Sequence, residues 1–201
     1  STAGSHAASI VAGDSNPGGI GYEWTVSLGA NESVTTAGLG DAAVGVWSWQ
    51  KDGSPNVGWT HTSDWVALQL TQATTLTVIL GRNSSIVDPD PSSVTGFRPV
   101  NNLFPSFTIW EGLDNTSSES HEYNNGAGSS STTWTGGLST VKGYVDNSTQ
   151  DTASLTLSLP AGFYTIALGG KGPQTAGLPQ QGYYATFTTV PNHRKDNAGA
   201  D

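Results

Sequence analysis

Ala153-Ser154-Leu155-Thr156-Leu157-Ser158-Leu159-Pro160-Ala161-Gly162-Phe163-Tyr164-Thr165-Ile166 is the stretch that decides the fold. Leu155, Leu157 and Leu159 alternate with Thr156 and Ser158, a two-residue period that puts the leucines on one face of a strand and the hydroxyls on the other. Pro160-Ala161-Gly162 stops that strand, and a second β-rich run follows at once, so the pair reads as a hairpin. Leu76, Val78 and Leu80 alternate with Thr75 and Thr77 in the same way, and Gln72-Ala73-Thr74 reads as the turn of another hairpin.

Outward from these two stretches, the same signals predict strands near Ala7–Val11, Tyr22–Leu28, Val44–Gln50, Asp64–Thr71, Thr75–Leu80, Ser106–Trp110, Val141–Val145, Ala153–Leu159, Gly162–Leu168 and Tyr183–Val190. Helical periodicity is nearly absent, and 26 Gly and 10 Pro punctuate the chain. Many short strands with regular turn signals predict an all-β fold, an antiparallel β-sandwich with jelly-roll-like character and long loops. Residues 1–190 are expected to form one domain and 191–201 a polar C-terminal tail. The long loops are expected at Gly81–Asn102, Glu111–Thr133 and Gly169–Gly182, lengths that in a compact domain point to function or disorder.

Composition narrows the function classes. Charged residues make up only 11% of the 201, and Ser, Thr, Asn and Gly take their place, a surface typical of exported β-proteins. The net charge of −9 argues against nucleic acid and against anionic membrane surfaces. No apolar run is long enough to span a bilayer as a helix. With neither Cys nor Met, disulfides, thiolate metal sites and a cysteine nucleophile are excluded. The start at Ser1-Thr2-Ala3-Gly4 reads as the end left by signal-peptide removal, hence a secreted or outer-surface location.

A soft-metal site in such a chain must be built from imidazole, and there are four His. His6 and His193 lie towards the ends and read as solvent-exposed. His61 stands in Gly58-Trp59-Thr60-His61-Thr62-Ser63-Asp64-Trp65, the lead-in to a strong strand. His121 stands in Glu119-Ser120-His121-Glu122-Tyr123, in a long loop. The loops of a sandwich gather at its two ends, so the pair can meet. Two His without sulfur ligands suit copper better than four-coordinate zinc. On spacing alone, two ordinary loop or hydrogen-bonding histidines are the simpler reading. Trp59, two residues before His61, shares its side of an extended segment.

On these residues the chain resembles the CorA and MopE family of copper-repressible surface proteins of methanotrophic bacteria. The resemblance extends to Phe107-Thr108-Ile109-Trp110, Leu155–Thr165 and Tyr183–Pro191. It implies a non-enzymatic protein outside the cell that binds copper, as Cu(I), with His61, His121 and Trp59 oxidised to kynurenine, and that captures copper under scarcity, with outer cell-surface components as candidate partners. Trp65 is the rival to Trp59 and reads more simply as a core aromatic. Calcium is a second candidate ion. Asp88, Asp90, Glu111, Asp114, Glu119 and Glu122 are its candidate oxygen ligands or the outer shell of the copper site, although none matches a calcium-loop spacing.

The alternative is a carbohydrate-binding or surface-adhesion sandwich without metal, using Trp24, Trp47, Trp49, Trp110 and Trp134, for which a place in the core is the default reading. No Gly-X-Ser-X-Gly elbow is present, and no carboxylate pair stands out for glycoside hydrolysis.

Overall fold

A computed structural model describes residues 6–14, 20–39, 42–44, 58–59, 63–87, 101, 103–114, 123–126, 136–147, 149–171 and 181–192. They form thirteen strands: β1 (Ser9–Asp14), β2 (Tyr22–Leu28), β3 (Ser33–Thr35), β4 (Ala43–Val44), β5 (Gly58–Trp59), β6 (Asp64–Leu70), β7 (Thr74–Val87), β8 (Phe104–Glu111), β9 (Tyr123–Asn124), β10 (Val141–Val145), β11 (Thr152–Leu159), β12 (Gly162–Lys171) and β13 (Gln181–Pro191). No helix occurs among the described residues.

A six-stranded sheet in the order β1-β2-β6-β12-β8-β10 faces a second sheet in the order β11-β7-β13-β3, with β4 also paired to β13. Every pairing is antiparallel except β2 with β6, which runs parallel from Trp24 opposite Val66 to Leu28 opposite Leu70.

The period-two pattern does what the sequence predicts. Leu76, Val78 and Leu80 are fully buried, while Thr75 and Thr77 face outward and meet Ser158 and Thr156 at 3.2 and 2.9 Å. Val26, Leu28, Val66, Leu68, Phe107, Ile109, Ile166 and Leu168 from one sheet close against Leu76, Val78, Leu80, Ala185 and Phe187 from the other. At about 25 cal/mol per Å² of apolar surface, this burial is the main force joining the sheets. Tyr183 adds a polar tie across the layers, accepting from the Trp24 indole N–H at 2.7 Å and donating to Asp64 at 2.5 Å.

Both expected hairpins are corrected. Pro160-Ala161-Gly162 does turn the chain, but β11 pairs with β7 in one sheet while β12 pairs with β6 and β8 in the other. Gln72-Ala73-Thr74 likewise hands the chain from β6 to β7 in the opposite sheet. Leu70 and Leu76, flanking that turn, face one another across the core rather than lying side by side.

Strand boundaries also move. β7 continues through Gly81 to Val87, seven residues into the expected loop, because β13 supplies partners as far as Gln181 opposite Val87. β1 starts at Ser9 rather than Ala7 and ends at Asp14. Of the expected strand at Val44–Gln50 only Val44, the last residue of β4, falls among the described residues. β13 runs to Pro191, and Asn192 accepts from Thr75 at 2.6 Å, so ordered structure enters the first two residues of the expected tail.

Candidate metal centre

Trp59 and Tyr123 are directly paired. β5 and β9 form a two-stranded antiparallel ladder with Gly58 opposite Asn124 and Trp59 opposite Tyr123. The ladder lies over the outer face of the six-stranded sheet. There Trp65 and Ala67 on β6, Trp110 on β8 and Ala167 on β12 alternate with core residues and join Ile20, Tyr22, Trp59, Tyr123 and Leu138 in a second apolar cluster.

The rings of this cluster are closely packed. The Trp65 and Trp110 ring centroids are 5.7 Å apart with planes at 27°. The Tyr123 ring lies 4.8 Å from Trp65 and 5.9 Å from Trp110, edge-on to the latter. Trp59 is fully buried. Its indole N–H donates to Thr108 Oγ1 at 2.7 Å, and the Thr108 hydroxyl donates in turn to the Asn125 carbonyl at 2.7 Å. A strand of the large sheet therefore fixes the Trp59 ring and the chain just after β9 through one hydroxyl.

Asp114 anchors the other side. It is buried, and its Oδ2 accepts from the Tyr123 hydroxyl at 2.5 Å and from the Gly137 amide at 2.8 Å, while its own amide donates to the Tyr22 hydroxyl at 2.8 Å. Burial first, and then the bond to the Asp114 carboxylate, push the Tyr123 phenol far above its ordinary value, so it remains a proton donor at any physiological pH. Three buried polar atoms here, Ser63 Oγ, Trp65 Nε1 and Trp110 Nε1, have no hydrogen-bond partner. Such atoms are uncommon in a finished core, and their concentration by Trp59 and Tyr123 sets this region apart from the sandwich interior.

The remaining candidates divide as follows. His61 and His121 lie outside the described residues, as do Asp88, Asp90, Glu119, Glu122 and His193. Glu111 is exposed at the end of β8. Among the described residues no group of three or more His, Asp or Glu side chains gathers to hold a metal ion. Trp65 is a core aromatic as expected, and Trp59 is buried as deeply. Trp24 and Trp110 are buried too, which removes them from any sugar-stacking surface; Trp47, Trp49 and Trp134 lie outside the described residues.

Two groups escaped the sequence reading. Glu23 and Asp64 form a close carboxyl pair. Burial and the neighbouring Asp64 raise Glu23 to about 8, although it accepts the Trp65 amide, and burial raises Asp64 to about 6 against the lowering bond from Tyr183. His6 is not free in solvent as expected: it is half-buried and bonded to Glu32 and Ser27.

No protein-family model matches the chain, and no curated protein matches it significantly. Solved structures do. One is CorA, a surface-associated copper-binding protein important in Methylomicrobium album BG8 copper acquisition, at 15% identity and a TM-score of 0.46, covering 82% of this chain and 99% of that one. Another is MopE, a secreted Methylococcus capsulatus protein in which an oxidised tryptophan facilitates copper binding, at 14% identity and a TM-score of 0.40, covering 81% and 85%. A third is the pre-peptidase C-terminal domain of a Bacillus anthracis collagenase, at 6% identity and a TM-score of 0.34, covering 82% and 94%.

Proposed function

We propose that this is an extracellular copper-binding protein whose ion is held by His61 and His121, with Trp59, oxidised to kynurenine, as a third contact. The observation that carries this reading is the register of the short ladder. Antiparallel partners keep a constant sum of residue numbers, and for Trp59 with Tyr123 and Gly58 with Asn124 that sum is 182. In the sequence His61 follows Trp59 by two residues and His121 precedes Tyr123 by two, so the ladder joins the two stretches that carry the histidines.

The donor set suits the ion. Imidazole binds copper well, and a low-coordinate cuprous site needs no more than two or three ligands. An intact indole has only an N–H to offer and is a poor ligand. Ring opening would supply an amine and carbonyls at the position Thr108 fixes. Capture of scarce copper at the cell surface follows from the family resemblance alone. Binding rather than turnover is the role proposed for this site, and Asp114 would hold it in shape through Tyr123.

The test is metal content by plasma mass spectrometry on protein from its native host, followed by titration in buffered Cu(I). We expect about one copper per chain. His61→Ala and His121→Ala should each weaken binding by on the order of 100-fold or more, with His193→Ala as the neutral control. Full affinity in both single variants would overturn the assignment. The mass of the Trp59 peptide tests the oxidation separately.

A further inference from the structure

On the outer face of the six-stranded sheet, further along the strands from the aromatic cluster, three polar side chains form a relay. His6 Nε2 lies 3.0 Å from Ser27 Oγ, and His6 Nδ1 lies 3.1 Å from Glu32 Oε2. A carboxylate only accepts, so Nδ1 carries a proton, and in the neutral ring Nε2 is then the acceptor for the serine hydroxyl. This is the order of groups in a serine nucleophile, histidine base and carboxylate array.

Glu32 is held from several directions. Its Oε2 accepts the Gly29 amide at 2.7 Å, its own amide donates to Thr189 Oγ1 at 3.1 Å, and its carbonyl accepts the Thr189 amide at 2.8 Å. Asn31, at φ 61°, makes the left-handed step that turns Glu32 back over β2. The His6 Cβ rests where a side chain on Gly29 would begin, 3.3 Å away. Histidine and glutamate are thus positioned before any ligand arrives, and the histidine remains about one-third exposed.

We propose that Ser27, His6 and Glu32 form a hydrolytic site for small, neutral carboxylic esters, distinct from the copper site. Ser27 is the next-to-last residue of β2 and is paired on both sides, with Ser9 and Gln69, so its own amide cannot serve a developing oxyanion. The donor must then be a side chain, and Gln69, the exposed register partner of Ser27 on β6, carries an amide on the same face. Phe163, the partner of Gln69 on β12, is 51% exposed and offers an apolar rest for the acyl or alcohol group. A chain of net charge −9 would disfavour anionic esters.

The reaction balances with water alone. Ser27 Oγ bonds to the carbonyl carbon as its proton passes to His6 Nε2. The tetrahedral adduct collapses, the C–O bond to the alcohol breaks, and the alcohol leaves with that proton. Water, deprotonated by His6, then releases the acid and restores Ser27.

A fluorophosphonate probe on the full chain, with chelator present, tests this site apart from the copper reading. We expect a single adduct on the Ser27 peptide, none in Ser27→Ala, and labelling slowed about 100-fold or more in His6→Gln. In Glu32→Gln, a positioning variant, the pH profile of labelling should shift while Ser27 remains the modified residue. His193→Ala should label at the wild-type rate. No adduct on Ser27, or an adduct formed as fast without His6, would overturn the proposal.

Discussion

Gly136 shows how tightly single residues define the region around the Trp59–Tyr123 ladder. A Cβ there would come within 2.1 Å of the Tyr123 ring, so Gly136→Ala must displace the ring that pairs with Trp59. Overpacking of this kind typically costs about 1–3 kcal/mol. We expect that loss in urea unfolding, together with weaker copper binding. Asp114→Ala would remove the carboxylate that accepts from the buried Tyr123 hydroxyl. Losing a buried acceptor costs about 1–3 kcal/mol, and chemical denaturation should show a larger loss than for Asp151→Ala at an exposed position. Neither role was legible in the sequence. Asp114 reads there as a candidate calcium ligand or outer-shell carboxylate, and only the fold brings Tyr123 and Gly137 to it.

Among the elements, the long alternating strands were legible and their partners were not. Leu155, Leu157 and Leu159 declare which face is buried, because face depends on local period alone. Nothing in Pro160-Ala161-Gly162 says whether the next strand lies beside β11 or across the core from it. β5 and β9, at two residues each, are too short to carry any period. Their importance is visible only in their pairing. That pairing makes a prediction of its own: Tyr123→Ala, which removes the buried partner of Trp59, should weaken copper binding and cost about 3–5 kcal/mol in urea unfolding.

For the whole molecule, the Glu23–Asp64 pair sets a dependence on pH. Both carboxyls hold protons more tightly when folded than when unfolded, with Glu23 raised from 4.5 to about 8 and Asp64 from 3.8 to about 6. The folded state therefore binds more protons between roughly pH 4 and pH 8, and its stability is greatest at the acid end and declines as pH rises through that window. The melting temperature of the copper-free protein should drop by on the order of 5 °C from pH 5 to pH 8, and Glu23→Gln should flatten the upper half of that slope. Copper affinity should run the other way, falling below a pH of about 6.5 as the imidazoles protonate.

Trp59 and Tyr123 meet across an interval that contains all of β6, β7 and β8. Closing so long a loop is entropically expensive until those strands have paired, so the ladder belongs to the last steps of folding. An ion bound beside it has nothing to hold in the unfolded chain or in the transition state. Copper should accordingly act as a lock and not as a template. In stopped-flow denaturant jumps it should leave the refolding rate unchanged and slow unfolding by the full factor it adds to stability.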